Sequence, residues 1–279
     1  GSFENRTRFP LEVLDAVQDA VDLPIIARIS GDEMVEGGIK IDEMKKLTAV
    51  LKERVVAAVH VSAGTVCSTP PWFFQHMFVP KGKTWELASQ IKEEVDIPLV
   101  YVGRINTKED VDVVLNEHNA DYVAIGRGLV ADHDFVAKYQ GEQKGLVRPC
   151  LACAEGCLGG VKAGEGLHCV VNPLAGRESE GSLPLEIEEL KVAEDQRARY
   201  AVVGGGIAGM EAAITLSRKG HEVTLFEKDK LGGQFNLAAL PPKKGSLKKL
   251  VDYYRNQLEQ QGIEVERKEV DESTFKDGK

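Results

Sequence analysis

A chain of 279 residues with 43% hydrophobic content is long enough for about two domains with real cores. Its formal charge of −9 comes without a basic stripe, which argues against nucleic acid as a partner. Its apolar runs fall short of the roughly 18 residues that span a bilayer, and five cysteines without a signal peptide or a disulfide-dense scaffold point to a reducing, cytoplasmic setting.

The chain opens on Gly1-Ser2-Phe3-Glu4-Asn5-Arg6, which reads as a loop leading into a helix. With no initiator methionine there, and a polar stretch up to Lys279 without an obvious closing element, a piece of a longer protein is expected. From Pro10 to about Tyr139 two periods alternate. Apolar bursts rich in Val and Ile fall at 24–29, 57–61, 99–102 and 122–125. Between them, 41–53, 84–95 and 107–117 carry apolar residues at helical spacing, with Asp42 and Thr107 placed as N-caps. Buried strands each followed by a helix predict βαβ units and a parallel sheet.

Such a repeat fits a doubly wound sheet or part of an eight-fold barrel. The barrel is favoured because polar and glycine residues gather just after the strands: Arg28 and Ser30, then Ser62-Ala63-Gly64, Gly103-Arg104 and Gly126-Arg127-Gly128. Four strands make only the second half of one.

A polar connector at 140–149 leads to Cys150, Cys153, Cys157 and Cys169, spaced C-x2-C-x3-C-x11-C. Three thiols in one local run with a fourth standing alone suit a 4Fe–4S cluster. Structural zinc usually takes two separated knuckles, and inert thiols are the bland alternative. The glycine-rich stretch 158–166 reads as a loop around the cluster, and the acidic stretch 177–199 as a linker or surface excursion.

At Tyr200 a short strand runs into Gly204-Gly205-Gly206-Ile207-Ala208-Gly209, followed by a helix at 210–219 and a second strand ending in Glu227. This is G-x-G-x-x-G in its proper context. Gly204 permits the tight turn, Gly206 admits a pyrophosphate, Gly209 lets helix and strand approach, and Glu227 can accept from a ribose hydroxyl.

Together these motifs resemble the multidomain flavoproteins of the 2,4-dienoyl-CoA reductase, enoate reductase and trimethylamine dehydrogenase group. That group joins an Old Yellow Enzyme-like barrel to an iron–sulfur segment and an FAD/NAD(P)H domain. Gly1-Ser2-x-Glu4-Asn5-Arg6-x-Arg8-Phe9 resembles the turn ahead of barrel strand five. Gly103-Arg104-Ile105 and Ile125-Gly126-Arg127 resemble the loops that hold FMN phosphate. Arg148-Pro149-Cys150 and Cys169-Val170-Val171-Asn172-Pro173 bracket the cluster as in the family, and Leu231-Gly232-Gly233-Gln234 resembles its second FAD-contacting turn.

The resemblance implies an α/β chain in three parts: the C-terminal half of a TIM (β/α)8 barrel at 1–145, a 4Fe–4S cysteine segment and linker at 146–195, and the start of a Rossmann-like FAD-binding domain at 196–279. It places Arg28 at the flavin N1/O2 edge, against the plainer reading of a salt bridge at the barrel mouth. It gives Gly103, Arg104, Gly126 and Arg127 to the FMN phosphate, and Gly204, Gly206, Gly209, Glu227 and Gln234 to FAD. In the loop after the second strand, Cys67, Trp72, Phe73, Phe74 and His76 read more as packing than as substrate recognition, and Cys67 is no fifth ligand.

The implied activity is NAD(P)H-dependent reduction of an α,β-unsaturated carbonyl compound of the enoyl-CoA or enoate type. The general acid is expected upstream of this chain, and the chain alone is expected to be inactive. Reductases of the family carry three residues between the second and third cluster ligands and amine dehydrogenases two; Ala154-Glu155-Gly156 makes three. Amine oxidation, an electron-transfer subunit and a non-catalytic scaffold are the alternatives. A small-molecule substrate and a possible homo-oligomer complete the expectation.

Overall fold

Four strands, β1 (Ile26–Ser30), β2 (Ala58–Ser62), β3 (Leu99–Tyr101) and β4 (Tyr122–Val123), pair in parallel in the order β1-β2-β3-β4. The computed structural model describes residues 1–179, 191–271 and 274, and the chain divides into two units, Gly1–Gly126 and Arg127–Lys279. Sequential order without a reversal is what a barrel segment requires; a doubly wound sheet changes direction at a switch point.

The first unit also carries helices α1 (Phe3–Ala20), α2 (Ile41–Glu53), α3 (Pro70–Phe74), α4 (Lys83–Lys92) and α5 (Lys108–Asn116). The expected opening loop is instead helix α1. The Ser2 hydroxyl caps it by accepting from the Asn5 amide, Glu4 lies in its first turn, and the helix runs on through Pro10. Arg6 then forks onto the Glu43 carboxylate of α2 at 2.9 and 2.6 Å.

Asp42 is not an N-cap: Lys40 takes that place without a side-chain bond, and Asp42 lies in the first turn, where its charge meets the helix dipole. Thr107 does cap α5, in a reciprocal box with Asp110. Val59, Val61, Leu99 and Tyr101 are wholly buried on the sheet, and Ala88 and Ile91 on α4, which packs against β2 and β3. Burying each large side chain contributes roughly 1.5–3 kcal/mol. The register pairs Arg28 with His60 and His60 with Val100. Since side chains alternate, these three share the face opposite the buried valines.

The second unit begins with α6 (Arg127–Ala131) and α7 (Phe135–Gln140). A π-helical turn, Glu155–Gly159, then runs straight into α8 (Gly160–Ala163). The expected loop at 158–166 is therefore helical for most of its length. Two glycines of this turn serve close packing: a Cβ at Gly156 would lie 2.7 Å from the His168 carbonyl oxygen, and one at Gly160 2.5 Å from that of Gly166, whereas one at Gly164 or Gly166 would meet nothing within 4 Å.

The expected linker falls partly on residues 180–190, outside the described residues. Its far end makes a 3-10 turn at Glu194–Gln196. The unit closes with β5 (Arg199–Val203), α9 (Ile207–Arg218), β6 (Glu222–Phe226), α10 (Gln234–Ala238), α11 (Ser246–Gln260) and β7 (Glu264–Glu266), the strands forming a parallel sheet in the order β5-β6-β7. Met210, Ile214, Leu225, Leu250, Tyr254 and Leu258 make its core, and Leu151 and Val171 of the cysteine segment belong to the same cluster. The cysteine segment thus shares one core with the dinucleotide-type fold.

Candidate functional site

On the exposed face of the first sheet, the Arg28 guanidinium lies over the Phe73 ring, 5.7 Å from its centroid, a cation–π contact that fixes the charge. Phe73 meets Phe74 edge-on at 5.0 Å. A Cβ on Gly64 would strike Trp72 at 2.8 Å, so the aromatic helix α3 sits directly on the loop after β2. The aromatic run therefore packs, as expected, and one of its rings also positions Arg28. Cys67 is exposed, and His76 accepts at Nδ1 from the Phe78 amide.

His60 was missed by the sequence reading. Its Nε2 is buried without a hydrogen-bond partner among the described residues. Burial, and then the neighbouring Arg28 charge, hold its pKa below the usual histidine value. The Val59-His60-Val61 alternation was the available signal, a polar ring on the face opposite the two buried valines. Ser30 and Ser62, by contrast, spend their hydroxyls on backbone carbonyls, Ser30 on Asp32 and Gly64, and Ser62 on Ile29.

After β3, Gly103 has φ +115°, and a Cβ there would fall on the Thr84 hydroxyl. The next residue, Arg104, holds φ +51°, a left-handed conformation that costs a non-glycine residue of order 1 kcal/mol and often marks a functional loop. Its guanidinium donates to the Val79 carbonyl. After β4, a Cβ on Gly126 would meet nothing within 4 Å, so its backbone is open to approach. Arg127 follows as the first residue of α6 in the second unit.

The four cysteines Cys150, Cys153, Cys157 and Cys169 are free thiols, each partly buried. They sense one another: Cys150 feels Cys169 and Cys153, and Cys153 feels Cys157 and Cys169. Burial pushes the Cys150 thiol up to about 11, opposed by the Ala152 amide, which donates to its sulfur at 3.4 Å, and by the Arg127 charge. Burial raises Cys153 as well, against a bond from the Glu155 backbone. Metal binding must displace these protons. Ala152 and Ala154, between the ligands, both take positive φ, at +54° and +63°.

Two kinds of metal site take such a donor set. A tetrahedral zinc site, with Zn–S near 2.3 Å, sets its thiolates about 3.8 Å apart. Among the described residues, the set of three or more His, Cys, Asp or Glu ligand atoms lying within 4.8 Å of one another is Asp132–His133–Asp134; no three of the cysteine sulfurs form one. The four thiols act on one another electrostatically, and a set of four thiolates suits a polynuclear iron–sulfur cluster or a single zinc ion. In the acidic trio, Asp132 already serves Lys138 at 2.8 Å and the Arg148 amide at 2.7 Å.

The glycine loop is built as its motif demands. Gly204 has φ +99°, and a Cβ on Gly209 would lie 1.9 Å from the Gly204 carbonyl oxygen. Gly206 is the N-cap of α9, and a Cβ there would touch nothing within 4 Å. The helix end therefore offers free amides to an anion. Both Glu227 oxygens brace the loop, accepting from Gly205 N at 2.6 Å and Asp229 N at 2.8 Å. The turn before α10 closes over it: Gly232 N donates to Gly205 O at 2.7 Å, and a Cβ on Gly233, which has φ +48°, would lie 3.4 Å from the Gly206 Cα. Gln234, the first residue of α10, is exposed beside this turn. Glycine loop, Glu227 and Gln234 turn thus form one continuous surface.

Residues 1–145 match the family described as NADH:flavin oxidoreductase / NADH oxidase, and residues 202–254 match an NAD(P)-binding Rossmann-like domain. The chain is 41% identical over 269 residues to an NADH oxidase of Thermoanaerobacter brockii, covering 95% of this chain and 40% of that protein. It is 33% identical over 281 residues to a cinnamate reductase of Clostridium sporogenes (strain ATCC 7955 / DSM 767 / NBRC 16411 / NCIMB 8053 / NCTC 8594 / PA 3679), covering 95% and 41%. The structure of a 2-naphthoyl-CoA reductase in complex with 2-naphthoyl-CoA superposes with a TM-score of 0.87 at 26% identity, covering 99% of this chain and 42% of that one. The chain thus spans about two fifths of the length of these relatives.

Proposed function

The chain belongs to the NADH:flavin oxidoreductase / NADH oxidase family, and from that premise we propose that it is the central part of an NAD(P)H-dependent reductase of activated C=C bonds. The observation that carries the reading is the thiol quartet, whose members act on one another and whose segment shares a core with the glycine loop. When bound, FAD supplies hydride acceptance from NAD(P)H, a 4Fe–4S cluster single-electron transfer, and FMN hydride delivery to the β-carbon of an α,β-unsaturated carbonyl compound.

The chain's own residues hold these groups and set their electrostatics. Cys150, Cys153, Cys157 and Cys169 ligate the cluster, and the Ala152 amide bonds the Cys150 sulfur at 3.4 Å, which lowers the charge on that ligand. Gly204, Gly206 and Gly209 bring backbone to the FAD pyrophosphate, with Glu227 and Gln234 on the same surface. Gly103, Arg104, Gly126 and Arg127 hold the FMN phosphate. Arg28, steadied by Phe73, offers a fixed positive charge where negative charge builds on a reduced ring. The proton for the α-carbon comes from a residue outside this chain.

The cinnamate reductase relative and the three-residue gap between Cys153 and Cys157 favour C=C reduction over amine oxidation. A small-molecule substrate, a cytoplasmic setting and a possible homo-oligomer belong to the same proposal. Among the described residues no helix is long and apolar enough to cross a membrane. The test is the full-length protein purified anaerobically and assayed with NADH and NADPH against enones, enoates, enoyl-CoA thioesters and methylamines. Turnover of the unsaturated carbonyl compounds is expected; turnover confined to methylamines overturns the reading.

A further inference from the structure

Arg148 opens the motif that brackets the cysteines, yet the sequence gives its charge no partner. Its side chain is only 11% exposed, and its guanidinium lies 3.6 Å from the Glu211 carboxylate of α9 and 5.1 Å from the Tyr253 ring centroid of α11. It also donates to the Val171 carbonyl. Arg148 stands two residues before Cys150 and Val171 two after Cys169. One guanidinium therefore ties together both ends of the cysteine segment and joins them to the helix that starts at the glycine loop.

For holding the segment in place, such a pair is an expensive device. Desolvating two charges costs several kcal/mol, and well-packed apolar side chains hold a fold as well or better. What apolar side chains cannot do is place an oriented charge. Here the positive end bonds the cysteine segment at the Val171 carbonyl, while the negative end, Glu211, is carried by α9. Beside the pair, burial and Glu211 push the Tyr254 hydroxyl pKa up, so this neighbour adds no charge of its own.

We propose that the Arg148–Glu211 pair sets the reduction potential of the cluster held by the four cysteines, with Arg148 as the positioning residue for that charge. The inference rests on the cluster reading above. The step it governs is a one-electron reduction by a reduced flavin: the cluster gains one electron, the flavin loses one, and no bond to the protein breaks. Net charge around a cluster is one of the protein's levers on its potential. A nearby cation favours the reduced form, and a nearby anion opposes it.

The test uses the full-length holoprotein purified anaerobically, with iron and sulfide quantified first and the midpoint potential then followed by electron paramagnetic resonance. R148Q is expected to lower the potential and E211Q to raise it. Each shift should be three- to tenfold in the one-electron equilibrium constant, roughly 30 to 60 mV at 59 mV per tenfold. R148K keeps the charge and should move less than half as far as R148Q. If R148Q does not retain its cluster, E211Q and R148K carry the same test. A merely structural clamp predicts no shift, or shifts of one sign in both charge-removing variants; either result, with iron intact, overturns the inference. Wild-type protein lacking iron and sulfide overturns instead the reading on which it rests.

Discussion

The two parallel sheets place function differently. In the first, candidate residues are spread over four strand ends: Arg28 on β1, the loop after β2, Gly103 and Arg104 after β3, and Gly126 after β4. In the second, the candidate residues gather on one turn after β5, with Glu227 bonded to it and the Gln234 turn laid over it. A distributed site tolerates the loss of one member, because the others still position the ligand. A concentrated one fails when a single backbone contact is blocked.

The cysteine segment is the most concentrated case, and the largest effect is expected there. Cys153→Ser should remove the cluster outright, bringing iron to well under one per chain by colorimetric assay and ending turnover. Gly209→Ala comes next, since its Cβ would sit 1.9 Å from the Gly204 oxygen. Backbone must shift at a cost of about 1–3 kcal/mol or more, and FAD content by extraction should fall at least roughly tenfold by that energy.

The distributed face should behave otherwise. Arg28→Gln is expected to leave FMN content within about twofold while turnover drops roughly a hundredfold, the usual scale for losing one electrostatic stabiliser. Loss of FMN with Arg28 would mean that the first sheet is as brittle as the second. Glu227→Gln should weaken FAD binding by about 1 kcal/mol, read by flavin titration, because the amide keeps one acceptor for the two backbone donors.

The smallest effect concerns His60. Its folded pKa lies below the unfolded value through burial and Arg28. Above the unfolded pKa both states are neutral and pH has no leverage. As pH falls below it, the unfolded chain takes up the proton first, so stability declines until the folded pKa is passed. His60→Gln should flatten that acid limb in urea titrations between roughly pH 7 and 5. An unchanged slope would remove His60 from the account.

Concentration also governed what the sequence disclosed. The glycine loop and its acid were legible because both lie within one βαβ unit at fixed spacing, and Thr107 because its capping partner is three residues away. The cysteine spacing was legible, though not the helical turn that runs through it, since Gly156 and Gly160, which serve close packing, read like glycines that serve flexibility. Helix α1 was misread as a loop even though Ser2 and Glu4 marked its start. Arg148 was invisible in its role because its partners lie 23 and 63 positions away, at Val171 and Glu211. His60 needed the strand register before its neighbour Arg28 gave it meaning.

The central claim is that the four sulfurs hold iron for single-electron transfer between flavins. Its most direct measurement is the metal, sulfide and flavin content of the anaerobic full-length protein, with absorbance followed during dithionite addition. The account predicts about four irons and four sulfides per chain, FMN and FAD in equal amounts, and a brown absorbance that bleaches on reduction. Zinc in place of iron, or a colourless protein that dithionite leaves unchanged, would contradict it.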